Sequence, residues 1–338
     1  MNLPLQLDRP TELRETQSIA HAVTVVMINY RTPSMTIDAL QSIADTREDL
    51  AVDCVVVDNA SGDDSGRVIE RAIGDNGWSW CKLILAESND GFSAGNNLGA
   101  SASDGAPILL LNSDTLVGAK AIQRLLAALE SNRQIGITSP RLQWPSGESQ
   151  VSCFRYFRPT SEFVRSASIG WVTKRLPWAE VAMPLGQDDR HEAQAVDWTS
   201  FACVLIRRDV FDRLGGMDEG YFMYFDDVDF CRQVNGLGYD IVHCPDASVI
   251  HFRGGSSSVK RLQSARKKRP RYYYAARTRY YAKHFGRSGL LLANLLWMTG
   301  GAFAKAKALL TRRPTPHCKA EWRDIWINFL RPMNGRNR

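Results

Sequence analysis

The sequence predicts an α/β fold, a mostly parallel, Rossmann-like sheet followed by a helical C-terminal extension. Three observations carry that reading. Short apolar runs alternate with helical stretches, which calls for parallel strands joined by right-handed crossovers. Each run ends in small polar residues. One run, 108–111 (ILLL), is wholly apolar, as a strand covered on both faces is, and stops at Asn112, Ser113 and Asp114. At 338 residues, 44% of them hydrophobic, the chain can bury a large core as one elaborated domain with an extension.

Residues 1–20 are polar and aperiodic, and read as a loose leader. A strand follows over 23–28 (VTVVMI) and ends at Asn29, Tyr30 and Arg31. Pro33 suits the first turn of a helix to about residue 44. A second strand, 52–57, ends at Asp58, Asn59, Ala60 and Ser61, before a helix over 65–73. A third, 82–85, precedes Asn89 and the loop Gly91-Phe92-Ser93-Ala94-Gly95-Asn96-Asn97. The fourth ends in Asp114, with a helix from near Gly118 to residue 130 and a strand over 135–138. Ligands of open α/β sheets bind at the carboxyl ends of the strands, so these polar clusters should face one crevice suited to a nucleotide. Taken alone, the 112–114 cluster reads as a polar turn before a helix, and the glycines of 91–97 either let backbone N–H groups approach a diphosphate or merely let the chain turn. The loop is neither G-x-G-x-x-G nor a P-loop, which argues against a dinucleotide oxidoreductase or an ATPase.

Residues 141–196, rich in Trp, Pro and Arg, read as a loop-heavy wall of a second pocket. A strand over 196–206, which includes Trp198, leads into a short helix. Then comes the densest signal, Gly215 to Cys231, with five carboxylates in an aromatic stretch. Asp226, Asp227 and Asp229 open a helix running to about residue 235. One or two acids there would simply complement the helix dipole. Three behind a run of four aromatics suggest a shielded carboxylate able to act as a general base. A last strand, 247–251, ends at His251, ahead of Phe252, Arg253 and Gly254. A lone histidine is usually structural. One that ends a strand in a chain already holding Asp114 points towards metal binding.

Charge and cysteine usage narrow the class. Seven cysteines without a C-x-x-C pair argue against a disulfide framework or a zinc cluster and point to the cytosol. No basic stretch followed by an apolar run opens the chain, so no signal peptide is expected. The net charge of +6 concentrates in residues 260–287 and at the C-terminal end, which implies an acidic partner.

Together these pieces resemble family 2 glycosyltransferases of the GT-A type, in the rhamnosyltransferase-like branch. The matching motifs are Asn29-Tyr30-Arg31, Val57 to Ser61, Asn89 to Asn97, Leu111 to Asp114, Gly215 to Cys231 and His251 to Ser256, in the family's order. The resemblance implies a GT-A domain over 21–258. Its nucleotide-binding half would be 21–140 and its acceptor half 141–258, followed by a basic helical region, 259–338. It implies inverting transfer of a sugar, L-rhamnose by preference, from a dTDP-type donor. The acceptor would be a glycan or a polyprenyl-diphosphate-linked lipid. Asp58 would contact the base or ribose, within a nucleotide-sugar site of Asn29, Tyr30, Arg31, Asp58, Asn59, Asn89, Gly91, Asn96, Asn97, Asn112 and Ser113. Asp114, with His251, would hold Mg²⁺ or Mn²⁺ where the family carries D-x-D. Asp226-Asp227 stands where the family has Glu-Asp, which makes Asp227 the expected base and Asp226 its rival. Trp198, Asp229 and Arg253 are acceptor-side candidates.

A sugar nucleotidyltransferase would need a Gly-rich basic loop after its first strand, which Asn29 to Pro33 is not. A non-catalytic nucleotide-sugar-binding or nucleic-acid-binding module would use the basic, tyrosine-bearing segment 260–287 but leave the acids unexplained; no nucleic acid is expected as a partner. That segment and the apolar run 288–304, too short at under roughly 20 residues to span a bilayer, instead predict peripheral attachment to the inner face of the cytoplasmic membrane. A second aromatic piece at 322–330 would add to it. The alternative is a helical hairpin packed on the catalytic domain.

Overall fold

The computed structural model describes residues 23–47, 50–103, 105–167, 181–183, 193–253, 259–312, 314–315 and 317–334. The expected leader, residues 1–20, and residues 254–258 lie outside that set.

The sheet grows from β1 (Val23–Asn29), flanked by β2 (Val52–Asp58) and β4 (Ile108–Asn112), with β3 (Cys81–Leu85) beyond β2; all four are parallel. Helices α1 (Pro33–Ala44), α2 (Ser65–Asp75) and α3 (Phe92–Ser101) make the crossovers. The chain then adds β5 (Thr115–Val117), α4 (Ala121–Ser131) and β6 (Ile135–Gln143). Beyond the small strands β7 (Cys153–Phe154), β8 (Ala182–Met183), β9 (Gln194–Ala195) and β10 (Trp198–Thr199) comes β11 (Cys203–Ile206). β11 lies antiparallel between β4 and β6, and β12 (Asp240–His251) runs parallel to β6 and antiparallel to β5. The result is a mostly parallel mixed sheet, ordered β3-β2-β1-β4-β11-β6-β12-β5.

Side chains of a strand alternate between faces, and here the alternation feeds two cores. Val25, Met27, Leu109 and Leu205 pack with Leu40, Ile43, Leu125 and Leu129 of α1 and α4. Val26, Leu110 and Val204 face the other way, into a core that also takes in residues of α6 (Arg208–Arg213), α7 (Asp226–Gly236) and a long C-terminal helix, α9 (Arg271–Thr311), which follows the short α8 (Val259–Ser264).

Several elements differ from expectation. The single strand expected over 196–206 is two, β10 in a small sheet with β7 and β8, and β11 in the main one. The turn at 200–202 lets the chain change sheets. The last strand begins at Asp240 rather than 247. It carries Pro245 across a register shift between Cys244 and Ser248, where a missing N–H is tolerated. The helix expected from Gly118 starts at Ala121, after Lys120 in a left-handed conformation.

The largest departure is in the basic segment. Tyr274, Tyr280 and Tyr281 are buried, not presented to a partner. Arg277 pairs with Glu162 of α5 (Pro159–Ala167) at 3.0 Å, with both side chains 2% exposed. Arg279 and Lys283 pair with Asp218, Lys283 also with Asp229, and Arg269 with Glu321 of α10 (Glu321–Asp324). Much of the positive charge is therefore spent on the chain's own acids. At Gly300 a Cβ would stand 2.5 Å from the Phe163 carbonyl oxygen, so α9 packs backbone to backbone on α5. A break in helical geometry at Gly286 divides α9 into two arms.

Candidate active site

Register brings the polar strand ends together. Asn29 pairs with Asp58 and Ile28 with Asn112, so β1, β2 and β4 stop at one level. There Asn29 Nδ2 donates to Asp58 Oδ1 at 2.7 Å, while Ser61 Oγ donates to the same carboxylate. Arg31, in a left-handed conformation, donates its Nε–H to the Ser61 carbonyl at 2.8 Å. Thr32 and Ser113 share a hydroxyl contact at 3.1 Å. On the other side Asn59 Nδ2 donates to Asn89 Oδ1 and to the Gly91 carbonyl, both at 3.1 Å.

Above this ledge is a cavity of about 240 Å³. It is lined by Tyr30, Asn59, Asn89, Gly91, Asn112, Ser113 and Asp114, with Ile28, Phe92, Phe222, Met223 and Tyr272. Seven of the residues singled out from sequence therefore meet at one surface. Asn29, Arg31 and Asp58 support it from below. Asn96 and Asn97 turn away: Asn96 donates to the Phe92 carbonyl, and Asn97 bonds both N–H and C=O of Met217 at 2.8 Å.

That Asn97 clamp docks the acid-rich segment onto α3. Phe92 N–H donates to the Phe222 carbonyl at 2.8 Å. Gly91, with φ of +94°, lies so close that a Cβ would come 2.1 Å from that same oxygen. Only glycine fits. Tyr224 and Phe225 take left-handed conformations, turning the chain sharply into α7 with Asp226 and Asp227 in its first turn.

The three acids of α7 differ in environment. Asp229 is buried and accepts from Tyr221, Gln233, Lys283 and His284, the last two at 2.7 and 2.6 Å. As an acceptor-side candidate it is spent on the protein itself. Asp226, also buried, lies beside Ser93 and has Oδ2 without a hydrogen bond. Burial pushes its carboxyl up to about 6, with the nearby Asp229 charge adding. Asp227 is the partly exposed member of the pair, and its Oδ1 accepts from Val228 N–H at 2.9 Å. The Asp226 value has a measurable consequence. A folded-state pKa raised above the unfolded one favours folding at low pH, and that advantage is lost as pH rises from about 4 through 6. Asp226→Asn should raise the melting temperature at pH 8, by up to about 3 kcal/mol in stability, and the gain should vanish near pH 4. Equal gains at both values would contradict a buried, reluctantly charged carboxyl.

At the far edge, His251 is paired with Thr115 across β12 and β5, and Phe252 N–H donates to the Asp114 carbonyl at 3.0 Å. His251 Nε2 stands 3.4 Å from Asp114 Oδ1, both side chains largely buried. His251 Nδ1 has no hydrogen-bond partner. Two neighbouring ligands on an octahedral ion with bonds of about 2.1 Å lie roughly 3 Å apart, so the pair fits one divalent cation. Among the described residues no group of three or more His, Cys, Asp or Glu could do so. Among the described residues, two candidate ligands stand together here. Arg253 lies near Asp114, stacked over Trp144 and donating to the Val151 carbonyl. Trp198 is buried, stacked on Phe154 at 4.3 Å, with Nε1 bonded to the Arg155 carbonyl.

Phe222, Met223 and Tyr272 were not singled out as site residues. The first two belong to the aromatic run before the acids, read only as shielding. Tyr272 lies nearly parallel to Tyr224, ring centres 6.4 Å apart. Nothing local in the sequence marks one tyrosine of residues 272–274 as crevice-facing.

Comparison with known proteins bears on the fold and the family. The glycosyl transferase family 2 profile matches residues 24–215. An N-acetylglucosaminyl-diphospho-decaprenol L-rhamnosyltransferase of Mycobacterium tuberculosis is 28% identical over 249 residues, 68% of this chain and 76% of that one. The rhamnosyltransferase WbbL of Escherichia coli is 25% identical over 169 residues, 48% of this chain and 61% of its own. Among solved structures, a mannosyltransferase from Pyrobaculum calidifontis in complex with GDP-Man and Mn²⁺ superposes with a TM-score of 0.51 at 15% identity, over 92% of this chain and 85% of that one. GalNAc-T7 with UDP, GalNAc and Mn²⁺ gives 0.55 at 16%, over 93% and 59%. The fold is of the GT-A type.

Proposed function

Because the chain belongs to glycosyl transferase family 2 and is a glycosyltransferase, we propose that it transfers L-rhamnose, with inversion, from a dTDP-linked donor. The acceptor is a glycan or a polyprenyl-diphosphate-linked lipid of bacterial cell-envelope polysaccharide synthesis, met at the inner face of the cytoplasmic membrane. The observation that carries this reading is the cavity at the strand ends, with Asp114 and His251 3.4 Å apart at its edge. The α7 acids stand on a segment bonded to its rim. The rhamnose donor rests on likeness to two rhamnosyltransferases.

In this reading Asn59, Asn89 and the ledge around Asp58 receive the nucleoside, and Tyr30, Phe222 and Tyr272 offer apolar faces to it. Asp114 and His251 would hold Mg²⁺ or Mn²⁺, which supplies positive charge against the departing diphosphate. Asp227 removes the proton from the acceptor hydroxyl, which attacks the sugar from the side opposite the diphosphate. One displacement inverts the anomeric centre.

Titration calorimetry with dTDP, UDP and GDP tests the donor. We expect dTDP to bind at least about tenfold more tightly, a difference of roughly 1.4 kcal/mol. Tighter binding of UDP or GDP would overturn the choice of donor without touching the chemistry.

A further inference from the structure

The second arm of α9 has two unlike sides. Leu290, Ala293, Asn294, Trp297, Gly300, Gly301 and Ala304 are buried. The other side is bare: Leu291, Leu292, Leu295, Met298 and Phe303 are 38–57% exposed, and Leu309 and Leu310 are 83% and 87% exposed. At about 100° per residue these positions fall within an arc of roughly 140°, on one side of the helix. A contiguous exposed apolar stripe marks an interaction surface.

Charge identifies the partner. No Asp or Glu occurs between Asp246 and Glu321. Exposed Lys305, Lys307 and Arg312 flank the stripe. Lys305 and Arg312 also flank a shallow groove formed with Ala308, Leu309 and Pro314. Cations beside apolar side chains match phosphate above acyl chain. Two copies of this face would set like charges together with no acid on the arm to relieve them. No described helix is long and apolar enough to cross a membrane, and the packed side of this arm excludes full immersion.

We propose that the stripe from Leu291 to Leu310 lies in the plane of an anionic bilayer, its leucines in the acyl boundary and Lys305, Lys307 and Arg312 among the phosphates. This rests on the peripheral location proposed above and names the face that provides it.

The full chain is tested by sedimentation with vesicles of phosphatidylcholine alone or mixed with phosphatidylglycerol, at low salt. Binding is expected to the mixed vesicles and not to the neutral ones. Leu309→Glu with Leu310→Glu should cut the bound-to-free ratio at least tenfold while the melting temperature and calorimetric dTDP binding stay unchanged. Each of Lys305→Gln, Lys307→Gln and Arg312→Gln should weaken binding roughly fivefold. A wild-type chain that stays in the supernatant, or a double variant that binds as well as wild type, overturns the proposal. So does a lipid-free dimer that the double variant dissolves, which would assign the face to a second copy. If vesicle binding fails while dTDP binding and transfer to a soluble acceptor persist, this inference falls and the donor reading stands.

Discussion

Asp227→Asn is expected to slow sugar transfer by roughly a hundredfold or more while leaving donor affinity within about twofold, because it keeps the side chain's shape and removes its basicity. Successive helical residues point about 100° apart, so Asp226 and Asp227 cannot serve the same spot. Their surroundings divide the work. Asp226 is turned inward against Ser93 and held up to about 6 by burial, whereas Asp227 is partly open. A base must reach a hydroxyl that arrives from solvent. Steady-state transfer rates for both asparagine variants, with calorimetry on each, decide the matter. Loss of transfer in Asp226→Asn alone would exchange the roles, and full rates in both would place the base elsewhere.

Asp114→Ala should be still more severe, with donor turnover falling about a thousandfold or below detection. Asp114 is the carboxylate of the proposed cation site, and several kcal/mol of charge stabilisation at the departing diphosphate would go with it. His251→Ala should be milder, since a cation bound mostly through phosphate and water retains its acid. Raising Mn²⁺ should restore part of its rate but none of Asp114→Ala. Full turnover by Asp114→Ala in the presence of EDTA would exclude the assignment.

What could be read ahead of the structure was whatever depends on short range. The apolar runs of β1, β2 and β4, each stopped by small polar residues, announced both strands and crevice. β5 escaped because three residues are too few to show a period, and the start of β12 was hidden by Pro245 and the bulge around it. The basic segment misled for a different reason. Its partners Glu162, Asp218 and Asp229 lie 115, 61 and 54 residues away in sequence. An amphipathic pattern does not say which face of a helix meets the protein. Tyr272 reaches the cavity by that same long-range packing.

The packing of α9 against α5 also sets the order in which the chain can become a protein. Phe157 and Phe225 lie against Tyr280, and Glu162 against Arg277 and Tyr281, from much later in the chain. Contacts so distant in sequence close late, because the intervening chain must first lose its freedom. A nascent chain that has delivered the strands through His251 still lacks the residues that cover Phe157, Phe225 and Glu162. It stays sticky until residues 271–293 leave the ribosome. Translation stalled between those two points would leave a nearly complete sheet in need of a chaperone.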